Sequence, residues 1–495
     1  MTSSSFASNV VTIVTGTAIA QIIVILASPV ITRLYGPEAF GLFALFSSII
    51  SILVTVGCLR YELAIMLPKS DEDAANVFGL CFLILTVISL LSFPILLVSQ
   101  QPIEQFLNAP QLGEYFWLIP AMFFLSGAFI VLNYWNTRTK LFQRLAIARV
   151  MKSCSTTGTQ LGMGFAGYNS GGVLILASVI GQLVSTSVLG IQILRDHLSF
   201  FKQHITKKGM IEVQKEYINF PKYDIWAALL NNISGMLPIF ILAIYFNATI
   251  LGYYSLSLMV LQLPVGLIGD AIGQVFFQKA AEAINISKTK LKESVEETIK
   301  PLIFLSFFPT LLLVVIGPEL FGVVFGMQWQ ESGVYARFLS FWMCSVFIAA
   351  PLWTLFSIFQ KQQLNLFFNI LQTGARIIAL TIGAVMGNAL TAIILFAIAE
   401  FIFNVIPVIY LLKLAEVSPL YPARILLKYF LLSVPFIILI LFIQYVVSIR
   451  DIGLVIFSGL LTIIYYFLAM RNDPELLGPL KTFTSKIPII NKFLN

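Results

Sequence analysis

The chain has 495 residues, of which 58% are hydrophobic, 13% aromatic and only 11% charged. Soluble domains carry about 25% charged residues, so a soluble enzyme, a nucleic-acid-binding module and a disordered chain are all disfavoured. Four cysteines and two histidines argue against a disulfide framework, a zinc site or a haem protein, and no metal or cofactor is expected. The composition is that of an integral membrane protein, and the net charge of +7 has to be read by its location along the chain.

A helix needs about 20 predominantly apolar residues to cross the hydrocarbon core. The first six such runs cover residues 10–32, 41–59, 77–99, 116–134, 152–169 and 173–194. The first nine residues hold no Lys or Arg and run one is long enough to span, so it does not read as a cleaved signal peptide. Run five is rich in Gly, Ser and Thr. A long polar segment, 195–224, follows, and then eight more runs: 225–246, 254–277, 299–316, 336–358, 364–386, 389–412, 429–449 and 452–470. The last two are joined only by Arg450 and Asp451.

Fourteen spans put both termini on one side, and the positive-inside rule chooses that side. With the N-terminus in the cytoplasm, 26 of the 30 Lys and Arg residues fall in inner segments. Only Arg33, Arg337 and Arg450 lie outside, and Arg376 lies within a span. Dropping one helix would invert every later loop, so this asymmetry supports both orientation and count. The basic balance is then a topology signal and calls for no nucleic-acid partner. Ser70-Asp71-Glu72-Asp73 reads as an N-cap followed by acids on the positive end of a helix dipole. Segment 278–300 reads as a solvated or surface-lying helix, with Lys288, Lys292 and Glu296 at helical spacing.

Six spans, the connector 195–224 and six further spans suggest a parallel structural repeat, a common transporter plan. The stretch Gly36–Phe43 matches Asn247–Tyr254 at a constant offset of 211. The expected organisation is an N-terminal lobe over 1–194, a cytoplasmic connector over 195–224 and a C-terminal lobe over 225–412. Residues 413–495 would supply two additional helices and a tail.

Ionisable residues inside spans cost about 2.5–3.5 kcal/mol each and usually face a bundle interior or a wet cavity. Arg376 lies 12 residues before Asn388 and Glu400 12 after it. In a tight hairpin both sit about 18 Å from the turn, either as a buried ion pair or as cavity groups loosened by an anion or by protonation of Glu400. Asp270 sits in span eight among Pro264, Gly266, Gly269 and Gly273, either as a proton-coupling carboxylate or as a hydrated helix-end residue. Arg60 and Glu62 close span two, and Trp135, Arg138 and Phe142 share one helical face after span four. Arginine forks suit diphosphate and aromatic faces suit sugar rings, although both residue types are also ordinary membrane-boundary anchors. Amides within spans, among them Gln160, Gln182, Asn231, Asn232 and Gln274, either bridge helices or line a polar cavity.

Thr32-Arg33-Leu34-Tyr35-Gly36-Pro37-Glu38-Ala39-Phe40-Gly41, followed by Leu59-Arg60-Tyr61-Glu62-Leu63-Ala64-Ile65 and Leu67-Pro68, resembles the opening of Wzx-type O-antigen flippases. These are polysaccharide transporters of the MOP superfamily, which also holds the MATE drug exporters and the lipid II flippases. Trp135 with Arg138 and Phe142, Phe220-Pro221 with Asn231 and Pro238, and Ala271-Ile272-Gly273-Gln274-Val275-Phe276 fit the same resemblance. It implies an all-α, MATE-like fold of two six-helix lobes around a central cavity, with two C-terminal helices in addition. It also implies alternating access and an undecaprenyl-diphosphate-linked oligosaccharide moved from the cytoplasmic to the periplasmic leaflet of a bacterial inner membrane. The lipid II branch carries arginines within its first helix, and span one here has none.

On this reading Arg60, Arg138 and Arg376 attract phosphate or acidic sugars, Trp135, Asn231 and Gln274 contact the sugar portion, and Asp270 and Glu400 couple transport to an ion. The partners would be the lipid-linked oligosaccharide, membrane lipids and, as an open addition, a polysaccharide polymerase with its chain-length machinery. Two alternatives stand beside it. A MATE-type exporter of organic cations would use Asp270 and Glu400 differently. A polytopic polysaccharide polymerase or ligase is disfavoured because the outer loop 317–335 offers only Glu319 and Glu331 and lacks His. A non-enzymatic transporter is therefore expected.

Overall fold

The computed structural model describes residues 3–447 and 449–473; the side chains of 3–14, Leu267, Asp270 and Ala271 lie outside the description. The described residues form helices and turns with no strand. Two compact units divide the chain, Met1–Gly252 and Tyr253–Asn495.

The first unit contains α1 (Ser3–Leu34), α2 (Pro37–Val56), α3 (Asp71–Phe106), α4 (Leu118–Arg138), α5 (Phe142–Phe165), α6 (Gly171–His204), α7 (Lys207–Glu216), α8 (Ile225–Tyr245) and the start of α9 (Ala248–Pro264). Their starts follow local chemistry. Gly36 is extended and Pro37 opens α2, where a missing N–H leaves no bond unmade. The cap expected at Ser70 is present: the Asp73 N–H donates to its hydroxyl oxygen at 3.1 Å, with three acids in the first turn of α3. The connector is mostly helix, because α6 runs on to His204 and the short α7 packs its Val213 into a core of Phe78, Trp135 and Phe201.

The second unit holds the rest of α9, then α10 (Asp270–Ile286), α11 (Lys288–Phe325), α12 (Gln330–Ala349), α13 (Leu355–Ile358), α14 (Gln362–Val385), α15 (Ala389–Leu414), α16 (Leu420–Phe442) and α17 (Asp451–Asn472). Segment 278–300 is not a separate helix. It is the end of α10 and the start of α11, joined at Ser287, which caps α11 by accepting from the Lys290 N–H. The hairpin between α14 and α15 turns at Gly387, whose φ of +74° is accessible to glycine at little cost. Asn388 then caps α15 by accepting from the Thr391 N–H.

Twelve of the described helices are long and apolar enough to cross a membrane. Spans five and eight of the sequence reading are helical but fall outside that set. Span five is α5, which is more polar. Span eight is broken by a π-helical turn, Val265–Gly269, between α9 and α10, where Pro264 and two glycines weaken the regular ladder. Many large apolar side chains point outward, such as Leu26 at 73% and Val98 at 83% exposure. In a membrane protein that surface is solvated by lipid, while the helices satisfy their own backbone groups. This is an all-α, multi-pass membrane protein.

Candidate functional site

Within the first unit, faces of α2, α4, α5, α6 and α8 line an open cavity of about 740 Å³. The lining positions repeat every three or four residues: Phe43, Ser47, Ile50, Ser51, Val54 and Thr55 on α2, Met122, Ser126, Phe129, Ile130 and Asn133 on α4, Lys152 and Thr156 on α5, Ser178 and Gln182 on α6. One stripe of each helix therefore faces the space. Asn232 of α8 joins it, donating to the Ser51 carbonyl at 3.0 Å and to the Thr55 hydroxyl oxygen at 2.7 Å.

One end of the cavity is bounded by Arg60 and Glu62. Leu59 and Arg60 both have positive φ, 50° and 68°, a left-handed backbone that costs about 1–2 kcal/mol per non-glycine residue. Arg60 Nε donates to Asp224 Oδ2 at 2.7 Å, and its Nη1 reaches Glu62 Oε1 at 3.5 Å. Burial pushes the Glu62 carboxyl above the ordinary glutamate value, with Arg60 opposing that shift and Asp224 adding to it. Glu62 Oε2 and Asn133 Oδ1 are buried without a hydrogen-bond partner among the described residues. Farther in, Lys152 Nζ donates to Gln182 Oε1 at 2.5 Å, and Gln182 Nε2 in turn donates to the Thr186 hydroxyl at 3.2 Å. The lining thus combines aromatic and aliphatic side chains with two cations, one buried carboxyl, several amides and several hydroxyls.

The residues singled out from the sequence are distributed unevenly. Of them, Arg60, Glu62, Gln182 and Asn232 line the cavity. Arg138 instead clamps the α3 start: it donates to Asp71 Oδ1 at 2.9 and 3.1 Å and to the Ile65 and Ser70 carbonyls at 3.0 Å each. Trp135 is 2% exposed and packs against Phe78, His197 and Phe201, so its ring belongs to the core. Asn231 is exposed, and its neighbour Asn232 holds the cavity position. In the second unit, Arg376 Nε donates to Glu400 Oε1 at 2.6 Å and Gln372 Nε2 to Glu400 Oε2 at 2.8 Å. With Glu400 1% exposed, this is a buried ion pair joining α14 and α15. Gln274 is exposed on α10, and the Asp270 side chain lies outside the described residues.

Lys152 and Asn133 are the functional candidates that the sequence reading passed over. Lys152 stands at the first residue of the apolar run 152–169 and reads as part of the preceding inner loop. The helix actually begins at Phe142, ten residues earlier. The available signal was the polar stripe Lys152, Thr156 and Gln160 at intervals of four.

A family model described as "Polysaccharide biosynthesis protein" matches residues 30–334. No curated protein sequence matches the chain significantly. Among solved structures, the chain is similar to the lipid II flippase MurJ in an inward closed conformation, with 12% identity and a TM-score of 0.68 over 92% of this chain and 99% of that one. It is also similar to an inward-facing multidrug resistance MATE family transporter of the MOP superfamily, at 14% identity and a TM-score of 0.61 over 80% and 94% of the two chains. A MOP superfamily transporter from Pyrococcus furiosus matches at 15% identity and a TM-score of 0.52 over 83% and 95%. At these identities the structural likeness concerns the fold. The family match covers more than half of the sequence, and the chain belongs to the polysaccharide biosynthesis protein family, built on the fold of MOP-superfamily transporters.

Proposed function

We propose that the chain is a flippase that carries a lipid-linked oligosaccharide, anchored through undecaprenyl diphosphate, from the cytoplasmic to the periplasmic leaflet of a bacterial inner membrane. The observation that carries this reading is the cavity within the first unit, where two cations, amides and hydroxyls from α2, α4, α5, α6, α8 and the segment after α2 stand among apolar side chains. A diphosphate with hydroxyl-rich sugars cannot enter hydrocarbon without losing its hydrogen-bond partners. A wet cavity supplies substitutes while the polyprenyl tail stays in lipid. Arg60 is assigned to the diphosphate, because a guanidinium offers a planar fork and this one makes a single short bond, from Nε to Asp224, with Glu62 at 3.5 Å. Asn133, Gln182, Asn232 and the hydroxyls of Ser126, Thr156 and Ser178 offer donors and acceptors for sugar. Both termini are assigned to the cytoplasm on the Lys and Arg distribution.

Deleting the gene tests the reading. Finished, polyprenyl-linked single repeat units should accumulate on the inner leaflet while surface polysaccharide is lost. Loss of sensitivity to organic cations on overexpression, with normal polysaccharide in the deletion strain, would point to an exporter instead.

A further inference from the structure

We propose that Lys152 recognises an acidic substituent on the sugar portion of the substrate, a uronic acid carboxylate in the simplest case, and so selects for acidic repeat units. This rests on the flippase reading and adds the chemistry of the cargo.

Depth is the first argument. Lys152 lies ten residues along α5 from Phe142, and Gln182 lies eleven residues along α6 from Gly171. At 1.5 Å per residue these are about 15 and 16 Å from opposite ends of two successive, antiparallel helices. The two side chains meet at 2.5 Å, so the ammonium sits well inside the bundle, about midway between the ends at which α5 and α6 begin. Arg60 follows the end of α2, and the segment it opens is tied by Arg138 to the end of α4. It therefore stands at the membrane boundary on the side where α5 begins. A diphosphate held at Arg60 stays next to its own lipid tail. What extends inward from it is sugar.

Charge is the second argument. Arg60 is balanced by Asp224 and Glu62. Lys152 makes no ion pair among the described residues, and its hydrogen bond goes to a neutral amide. A cation held at a partly dehydrated cavity wall without a paired anion is costly, and an anion arriving with the substrate removes that cost. The surroundings fit a sugar that bears such a group, since Thr156, Ser178 and Gln182 line the same stretch. A lysine acts as a point charge suited to a single carboxylate, in contrast to the fork at Arg60.

The test is calorimetric binding to the full-length chain in nanodiscs with three probes: undecaprenyl diphosphate without sugar, the same lipid bearing a neutral trisaccharide, and the same lipid bearing a trisaccharide with one glucuronic acid. The wild type should bind the acidic probe about tenfold or more tighter than the neutral one, the scale of one charge-assisted contact. Lys152→Gln and Lys152→Met should each abolish that preference while leaving the other two probes within about twofold of wild type. Lys152→Arg should retain it, which separates loss of charge from loss of fold. Equal binding of acidic and neutral probes by the wild type would overturn the inference. So would an equal loss for all three probes in Lys152→Gln, which would make the lysine a relay for diphosphate. Failure of the wild type to bind any of the three would instead remove the flippase reading, and this inference with it.

Discussion

Gly41 and Gly252, which occupy matching places in the repeat read from the sequence, are each pressed against the start of the other's helix. A Cβ placed on Gly41 would lie 1.7 Å from the Ala248 carbonyl oxygen, and one on Gly252 would lie 1.8 Å from the Pro37 carbonyl oxygen. Pro37 and Ala248 are themselves separated by the same offset of 211. The contact is thus reciprocal. Close backbone approach through small residues is how helices associate when lipid removes the hydrophobic driving force.

Because backbone blocks both positions, Gly41→Val and Gly252→Val should destabilise the protein by about 1–3 kcal/mol or more. Thermal melting in detergent should show clear losses for both. Gly158→Ala, at a site with nothing within 4 Å of the added carbon, should melt close to wild type.

The Arg376–Glu400 pair should behave as a structural element. Arg376→Gln or Glu400→Gln alone leaves a buried partner uncompensated and should cost about 3–5 kcal/mol. The double replacement Arg376→Met with Glu400→Leu should recover much of that loss. Retained stability in Glu400→Gln, together with a lost pH dependence of transport, would contradict this and make Glu400 a coupling group.

Arg138 should matter for folding more than for substrate binding. Arg138→Lys cannot reproduce four donated hydrogen bonds to three acceptors, and a cost of about 1–3 kcal/mol is expected. Asp71 is 73% exposed on its side chain, so Asp71→Asn should cost under about 1 kcal/mol. Melting curves and membrane abundance of the two variants check the order.

Acid should weaken the second unit through Asp473. Its buried carboxylate accepts from Lys300 at 2.7 Å and Lys428 at 2.6 Å. Burial opposes ionisation, but the two ammonium groups outweigh it and hold the carboxyl below the ordinary aspartate value of 3.8. A carboxyl depressed in the folded state adds stability above its unfolded pKa, and that stability is lost as pH falls through the folded value. The melting temperature should therefore drop below about pH 4, and Asp473→Asn should lower it at neutral pH while flattening that acid limb.

Twelve of the fourteen spans and the pairing of Arg376 with Glu400 were legible because apolar run length and distance from a turn are one-dimensional quantities. Helix phase was not. Asn231 and Asn232 are adjacent in sequence but about 100° apart around α8, and only packing against Ser51 and Thr55 chooses which one faces the cavity. Trp135 carries the signature of a boundary aromatic, yet α6 and α3 close over it with Phe201 and Phe78. Lys152 escaped notice because a charge at the edge of an apolar run reads as loop, whereas α5 starts ten residues earlier and carries it inward.

The most direct measurement is lipid flipping in proteoliposomes containing the purified chain and an undecaprenyl-diphosphate-linked oligosaccharide, read by the exposure of its sugar to a reagent that cannot cross the bilayer. The account predicts transfer well above that of protein-free vesicles, and slower transfer in an Arg60→Gln variant of equal abundance. Transfer no faster than in empty vesicles, from folded wild-type protein, would contradict it.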